Sequence, residues 1–305
     1  PRPRDPNAPD HRLQLNSKCI YERSLPGGAY ITCHIDRLQC GYYDSPSIHE
    51  DLIDHVRFLT LHFVFHPAST IHRFVSATIR ASVHNSEDSI SNGSHAGDGS
   101  QHNRPESAQK KKHSGQNPSI LRHAPHLLYG SISPETLQWN FNLAGSLGVS
   151  EGPANASFNP SGGYKGSYKL YEMMRIQGSS RTWTGRAGPE DDVEDGEVVW
   201  TLEENRLQKS GLPREFTFII LLKKGEPETD TVFDIQVDPV ISNWVGNYPM
   251  WYVNLLPYQP LRKPPIDLET EIGQTFQPCL PGRGYNFANL ASSFEDFVAL
   301  PGTTY

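Results

Sequence analysis

The chain has 305 residues, a formal net charge of −7 and 36% hydrophobic residues, so it carries enough apolar material for one large domain. The lack of a basic excess argues against nucleic acid as a partner, and no run of about 18 apolar residues could cross a membrane as a helix. We find no His-Glu-x-x-His zinc motif and no phosphate-binding loop between a strand and a helix, so these signals of catalysis are missing.

The cysteines are few for a chain of this size. They lie at positions 19, 33, 40 and 279, and these spacings fit no zinc motif. A disulfide scaffold would need a higher density of cysteine, so we expect free thiols and an intracellular protein, cytoplasmic or nuclear. A secreted protein with a processed N-terminus is the alternative, since the chain does not begin with Met.

The first strands are predicted after a flexible arm at residues 1–17. Segments 29–38, 58–66 and 72–84 each alternate apolar and polar residues, which is typical of strands with one buried face. A short connection separates the last two segments, and we therefore interpret 58–84 as an antiparallel hairpin. The residues expected to face the core are Ala29, Ile31, Cys33, Ile35, Leu59, Leu61, Phe63, Phe65, Val75, Ala77, Ile79, Ala81 and Val83.

A polar segment then interrupts the pattern. Residues 86–118 are rich in Ser and Gly and contain almost no apolar side chain. Such a segment cannot bury enough surface to offset its ordering entropy, so we predict a disordered insertion within one domain that spans residues 18–245.

Strands resume after the insertion and alternate in the same way. They are predicted at 126–132, 136–144, 167–176, 198–202, 214–224 and 231–239, with Pro239 ending the last one. Segment 214–224 is apolar on both faces at its centre, as a central strand would be. Many short alternating strands predict an all-β fold, an antiparallel β-sandwich of two packed sheets with about 8–10 strands.

The C-terminal extension, residues 246–305, is rich in proline and aromatic residues. We expect it to pack on the domain, because a solvated linker would not carry so many aromatic side chains. At its end, 286–300 is predicted to form a short amphipathic helix capped by Asn286. Its apolar stripe would dock on the sandwich, with a partner's groove as the alternative. The docking residues would be Phe287, Leu290, Phe294 and Phe297.

Histidines are concentrated in the first part of the chain, since all thirteen lie at or before His126. In the predicted hairpin His66 and His72 would face each other, close enough to share a metal ion. With His34 and His62 they define a possible divalent-metal site, and hence a metal-dependent enzyme. The alternative is a solvated polar face that uses histidine as it uses threonine.

A row of amides lies on the polar side of another strand. Gln138, Asn140 and Asn142 alternate with apolar residues in 137–143. Amides bind sugars and peptides, which would suit a carbohydrate-binding sandwich that also uses Trp183 and Trp251. They also hydrate well, as the outer face of a sandwich must.

The sequence thus favours a non-catalytic interaction or structural module that binds a protein partner and needs no cofactor. A metal-dependent enzyme and a carbohydrate-binding sandwich are the alternatives, because a sandwich fold by itself selects no function.

Overall fold

A computed structural model describes residues 7, 17–46, 52–69, 71–85, 117–130, 133–141, 164–184, 192–225, 230–290 and 294–298. The predicted arm at 1–17 and insertion at 86–118 fall almost wholly outside the described residues. The strands of the described part are β1 Lys18–Ser24, β2 Tyr30–Tyr43, β3 Ile53–His66, β4 Arg73–Asn85, β5 Ser119–Ala124, β6 Leu127–Tyr129, β7 Ser133–Phe141, β8 Tyr164–Glu172, β9 Arg175–Trp183, β10 Val193–Glu203, β11 Glu215–Lys223, β12 Thr231–Ser242 and β13 Tyr285–Asn286. One α-helix, α1, spans Met250–Val253 in this part of the chain.

The strands form two packed sheets, which confirms the predicted antiparallel β-sandwich. The first sheet has the order β1-β2-β3-β11-β5, with β13 added parallel to β2, and the second has the order β12-β4-β10-β9-β6. Strands β7 and β8 pair with each other in a separate two-stranded sheet.

The hairpin predicted for 58–84 is wrong. Strand β3 pairs with β2 and β11 in the first sheet, whereas β4 pairs with β12 and β10 in the second. The connection at 67–72 therefore crosses from one sheet to the other. Both strands have one dry face, but these faces meet across the core, and alternation alone cannot distinguish strands that pair from strands that face each other.

Two other strand boundaries differ from the sequence prediction. The segment 167–176 is divided between β8 and β9, which belong to different sheets. Strand β12 continues through Pro239 to Ser242. It can do so because β12 is the edge strand of its sheet, where the missing N–H of a proline breaks no ladder hydrogen bond.

The core between the sheets contains the predicted alternating residues, with one correction. Val75 is only half-buried and Phe74 is buried instead, because the pairing of β4 with β12 shifts register at that point. Strand β11 is buried on both faces and is flanked by β3 and β5, as a central strand should be. Its Ile219 and Leu221 face away from the sandwich core into a second apolar cluster.

This second cluster lies between the outer face of the first sheet and the C-terminal segment. The chain returns along β2, and β13 approaches that strand so closely that a Cβ at Gly41 would lie 2.1 Å from the carbonyl oxygen of Tyr285. Only glycine can occupy this position without displacing β13. The cluster is centred on Phe58, which contacts the rings of Phe276, Phe287, Phe294 and Phe297.

The predicted amphipathic helix at 286–300 is replaced by short turns. Asn286 does act as a cap, since its side chain accepts a hydrogen bond from the N–H of Ala288. The 3-10 turn that it begins, Phe287–Asn289, gives way to extended backbone at Leu290, and a second turn spans Phe294–Phe297. Contacts with the sheet therefore override the helical spacing of the aromatic residues.

Candidate interaction surface

The four histidines of the predicted metal site occupy different environments. His34 and His62 are directly opposite each other on β2 and β3, and the Nδ1 atom of His62 lies 3.2 Å from the Thr217 hydroxyl and 3.8 Å from a carboxylate oxygen of Asp36. Burial lowers the pKa of His34. Among the described residues, no group of three or more His, Cys, Asp or Glu side chains is arranged to hold a metal ion.

The other two histidines have separate contacts. His66 is opposite Tyr30, stacks on that ring and lies 2.9 Å from a guanidinium nitrogen of Arg214. His72 contacts the Ser69 hydroxyl at 2.9 Å and the Tyr248 hydroxyl at 3.1 Å. The expected pairing of His66 with His72 is wrong because their strands belong to different sheets.

The amide row is described only in part. Gln138 and Asn140 lie in β7, where their pairing partners are Ser167 and Lys165, and Asn142 lies outside the described residues. Their role in binding a carbohydrate stays a prediction. Trp183, the aromatic residue assigned to the same site, stacks on His84 with 4.4 Å between the rings.

The side chains of the C-terminal stripe contact the chain's own sheet. Phe287, Phe294 and Phe297 are buried in the second cluster and Leu290 is packed against it. Arg37 and Arg122 add cation–π contacts to this cluster, with Arg37 4.3 Å from the ring centre of Phe276. These apolar side chains thus contribute to folding and leave little apolar surface for a partner.

Large apolar side chains are exposed elsewhere, at one end of the sandwich. The exposed fraction is 82% for Trp244, 70% for Trp251 and 87% for Leu256. We call this surface the aromatic platform; its members are Trp244, Val245, Met250, Trp251, Leu255 and Leu256. Isolated exposed leucines are ordinary, but two tryptophans, two leucines, a valine and a methionine exposed within thirteen residues are a concentration that makes this surface a candidate for binding.

A tight turn presents the first part of the platform. The Asn243 side chain accepts hydrogen bonds from the N–H groups of Val245 and Gly246, and the Asn243 N–H donates to the carbonyl of Gly246. Gly246 has φ of 147°, which a side chain would disfavour. The turn therefore holds Trp244 and Val245 at its tip, beyond the end of β12.

A buried arginine holds the second part. Arg23 is 3% exposed and donates to the carbonyls of Val237, Val253 and Tyr258 and to the Asn254 side chain, at distances of 2.7–3.0 Å. Three of these acceptors belong to the backbone or side chains of 253–258. Because Arg23 lies on β1 and Val237 on β12, the guanidinium ties the platform to both sheets.

Aromatic contacts stiffen the same segment. The ring of Tyr248 stacks on His72 on one side and on Tyr252 on the other, and Tyr252 meets Tyr258 edge to face. Trp251 contacts the edge of Tyr252. The exposed indole of Trp251 therefore projects from a set of packed side chains, so little conformational entropy would be lost if it bound a partner.

Basic residues lie at the same end of the sandwich as the platform. Ser242, at the end of β12, pairs with Arg73 of β4, and on its other side Arg73 meets the connection 205–214, where a Cβ at Gly211 would lie 3.2 Å from the Cβ of Arg73. That connection carries the exposed side chains of Arg206 and Lys209. The arrangement can therefore offer an apolar centre and a cationic rim to a partner.

The fold is thus an all-β sandwich with a packed C-terminal segment and an exposed apolar platform. No protein-family model and no curated protein matches the chain. Solved structures similar to it include the Clostridium perfringens NetB toxin in its membrane-inserted form, at 9% identity and a TM-score of 0.24 over 76% of this chain and 88% of that one. Clostridium perfringens delta-toxin has 8% identity and a TM-score of 0.25 over 79% of this chain and 96% of that one. At these TM-scores the likeness carries no argument.

No helix in the described part is long and apolar enough to cross a membrane.

From the sequence, Trp251 was expected to contact a carbohydrate, and Leu255 and Leu256 were expected to pack with the C-terminal extension. The expectation that the chain from 246 onward packs on the domain did not distinguish the side chains that pack from those that face solvent. A usable signal was present: residues 243–261 contain no charged side chain although they border a polar surface.

Proposed function

We propose that this protein is a non-catalytic interaction module that binds a protein partner through the aromatic platform. The observation that carries the proposal is the exposure of Trp244, Trp251 and Leu256 on a backbone held by buried Arg23. Burying such side chains in an interface is favourable, whereas their exposure to water contributes nothing to the stability of the fold.

The composition of the platform segment suits a protein–protein interface. The cores of such interfaces are enriched in Trp, Tyr, Met and Arg and depleted in Lys, Glu, Asp, Ser and Ala. Residues 243–262 contain the first four types and none of the last five. A carbohydrate site would need free hydrogen-bonding side chains around its aromatic residues, whereas the amides of Asn243, Asn254 and Gln259 are engaged in hydrogen bonds within the protein.

The rigidity of the platform supports the same function. Binding energy at protein interfaces is concentrated in a few residues, Trp and Tyr among them, that fill pockets on the partner. We expect Trp251 and Leu256 to act in this way, each contributing about 2 kcal/mol or more on removal. We also propose that the protein acts inside the cell, which its four unpaired cysteines support.

Site-specific photo-crosslinking in cells of the source organism tests the proposal. A photo-reactive amino acid replaces Leu256 in one variant and Tyr129 in the control, because both side chains are exposed and Tyr129 lies outside the platform. The expected result is a discrete protein adduct from position 256 that is absent from position 129. The affinity of the purified partner should then fall by about thirtyfold in Trp251→Ala. Equal crosslinking from both positions, or a partner that binds Trp251→Ala as tightly as the parent protein, would contradict the proposal.

A further inference from the structure

We infer that the partner presents acidic residues around an apolar anchor, which rests on the proposed function of the aromatic platform. The charge of this end of the sandwich carries the inference. Four segments meet there, 25–29, 67–72, 205–214 and 243–263, and together they contain five Arg or Lys residues and no Asp or Glu. The whole chain has a net charge of −7, so this end is opposite in sign to the rest.

Strand pairing shows that these segments belong to one end. Tyr30 at the start of β2 is opposite His66 at the end of β3, and the β1–β2 connection lies beside them. Ser242 at the end of β12 is opposite Arg73 at the start of β4, and Glu203 at the end of β10 is opposite Ser76. The connections that leave these strand ends therefore lie together, beside the platform.

The basic side chains differ in how far they are neutralised. Arg73 pairs with Glu204 at 3.2 Å and Lys263 pairs with Glu22 at 2.7 Å. Arg206, Lys209, Arg214 and Arg262 are exposed, and no carboxylate in the described part of the chain pairs with them; the polar contact of Arg214 is with the Nδ1 atom of His66. Their positive charge is left for a partner, and acidic groups on that partner would meet it without displacing an internal ion pair.

The charges act at the rim of the platform, where they set selectivity and association rate more than final affinity. Exposed cations attract an acidic surface before contact, and salt screens this attraction over about 10 Å. An acidic protein fits this arrangement better than an anionic membrane does. Membrane-binding surfaces of this electrostatic kind use clusters of about four to eight Lys or Arg on one helix or beside one, whereas the four unpaired cations here are divided between the connection 205–214 and Arg262.

The test uses the full chain and three sets of synthetic peptides. Each peptide has about twelve residues with a Trp-Leu centre that is flanked by Glu and Asp, by Ser and Gly, or by Lys and Arg. Dissociation constants are measured by fluorescence polarisation in about 50 and about 500 mM NaCl. We expect the acidic set to bind at least about tenfold more tightly than the neutral set at low salt, and the difference to shrink at high salt.

Charge-reversal variants test which residues select the acidic peptides. The double variant Arg206→Glu/Lys209→Glu should lose the preference for acidic flanks and keep its affinity for the neutral set. The matched control is Lys18→Glu, which changes a charge at the other end of β1 and should leave the preference intact. Thermal unfolding of each variant shows that the fold is retained.

The outcomes separate this inference from the proposed function. If the three peptide sets bind equally and Trp251→Ala removes binding of all of them, the inference is wrong and the proposed function stands. If peptide binding does not depend on Trp251, or no peptide binds, both are wrong. Binding to vesicles with about a third anionic lipid that needs Trp251 and Arg206, without peptide binding, would assign the surface to a membrane and also overturn the inference.

Discussion

The molecule contains two clusters of large apolar side chains, and only one of them is covered. The aromatic rings of the second cluster, called the tail cluster from here on, are those of Phe58, Phe276, Phe287, Phe294 and Phe297. Every one of these residues is buried. The aromatic platform also consists of large apolar side chains, most of them on the C-terminal extension, but it is exposed. The comparison teaches that residue type does not decide which apolar side chains are buried; coverage by the chain itself does.

The cause of the difference lies in the surface that each segment meets. The outer face of the first sheet is apolar around Phe58, Ile219 and Leu221, so the returning chain can bury its phenylalanines there. At the aromatic platform, α1 inserts only Val253 into the core and directs Trp251 away from it. The five predictions that follow test this division between the two clusters.

Removal of the tail should have the largest effect. A chain that ends at Pro281 loses Phe287, Phe294 and Phe297 and uncovers Phe58. Because the loss of one buried phenylalanine costs about 3–5 kcal/mol, we expect the free energy of unfolding to fall by more than about 5 kcal/mol. Urea denaturation measures the loss, and an environment-sensitive dye should bind the uncovered sheet. Unchanged stability would mean that the tail cluster is dispensable.

A single substitution at the centre of the tail cluster should be milder. Phe58→Ala removes a fully buried ring that contacts four others, so we expect a loss of about 3–5 kcal/mol in unfolding free energy. Phe58→Leu keeps most of the apolar volume and should lose less than half as much. A loss below about 1 kcal/mol in Phe58→Ala would show that the covering is loose.

The guanidinium of Arg23 supports the aromatic platform, so its removal should destabilise the protein. Arg23→Met keeps the apolar stem but removes the donor of the Val253 and Tyr258 carbonyls and leaves Val237 with only the Tyr21 hydroxyl at 3.4 Å, so we expect a loss of about 2–4 kcal/mol. Amide hydrogen exchange should also quicken at 250–258. The matched control, Arg206→Met, removes an exposed arginine and should change stability by no more than about 0.5 kcal/mol. Similar exchange in both variants would argue against Arg23 as the support.

The free energy of unfolding should also depend on pH, because one buried histidine can become protonated. His123 is buried beside Trp200 and His126, and burial lowers the pKa of its imidazole to about 4. Its unfolded pKa is near 6.5, so below that pH the unfolded state binds the proton more readily and stability falls as the pH drops toward 4. The contribution is at most about 3 kcal/mol.

Urea denaturation between about pH 7 and pH 4 measures this loss for the parent protein and for His123→Gln. The variant should show a shallower decline over the same pH interval, because it lacks the group that becomes protonated on unfolding. An equal decline in both proteins would assign the pH dependence to other groups.

The smallest change in stability is expected for a substitution in the aromatic platform. Trp251→Ala should change the free energy of unfolding by no more than about 0.5 kcal/mol, because its indole is exposed in the folded protein. Thermal and urea unfolding beside Phe58→Ala provide the measurement. A loss near that of Phe58→Ala would mean that the aromatic platform belongs to the core and is not free to bind a partner.

Local patterns in the sequence were sufficient for much of the architecture. Alternation predicted which side chains of β2, β3 and β4 face the core, with Val75 as the exception, and the two apolar faces of β11 indicated its central place. These features depend on the two-residue period of a strand, which each segment carries independently of its neighbours.

Only the tertiary structure decided which strands pair and which aromatic side chains are covered. The connection 67–72 could have formed a hairpin, yet it crosses between sheets and separates His66 from His72. The aromatic platform is exposed because Arg23 on β1 fixes residues 253–258 more than 200 positions away in the chain. Such contacts depend on the simultaneous placement of distant segments, which no local period encodes. The sequence by itself therefore determined the strands and their buried faces, while the assembled chain decided which apolar side chains stay exposed.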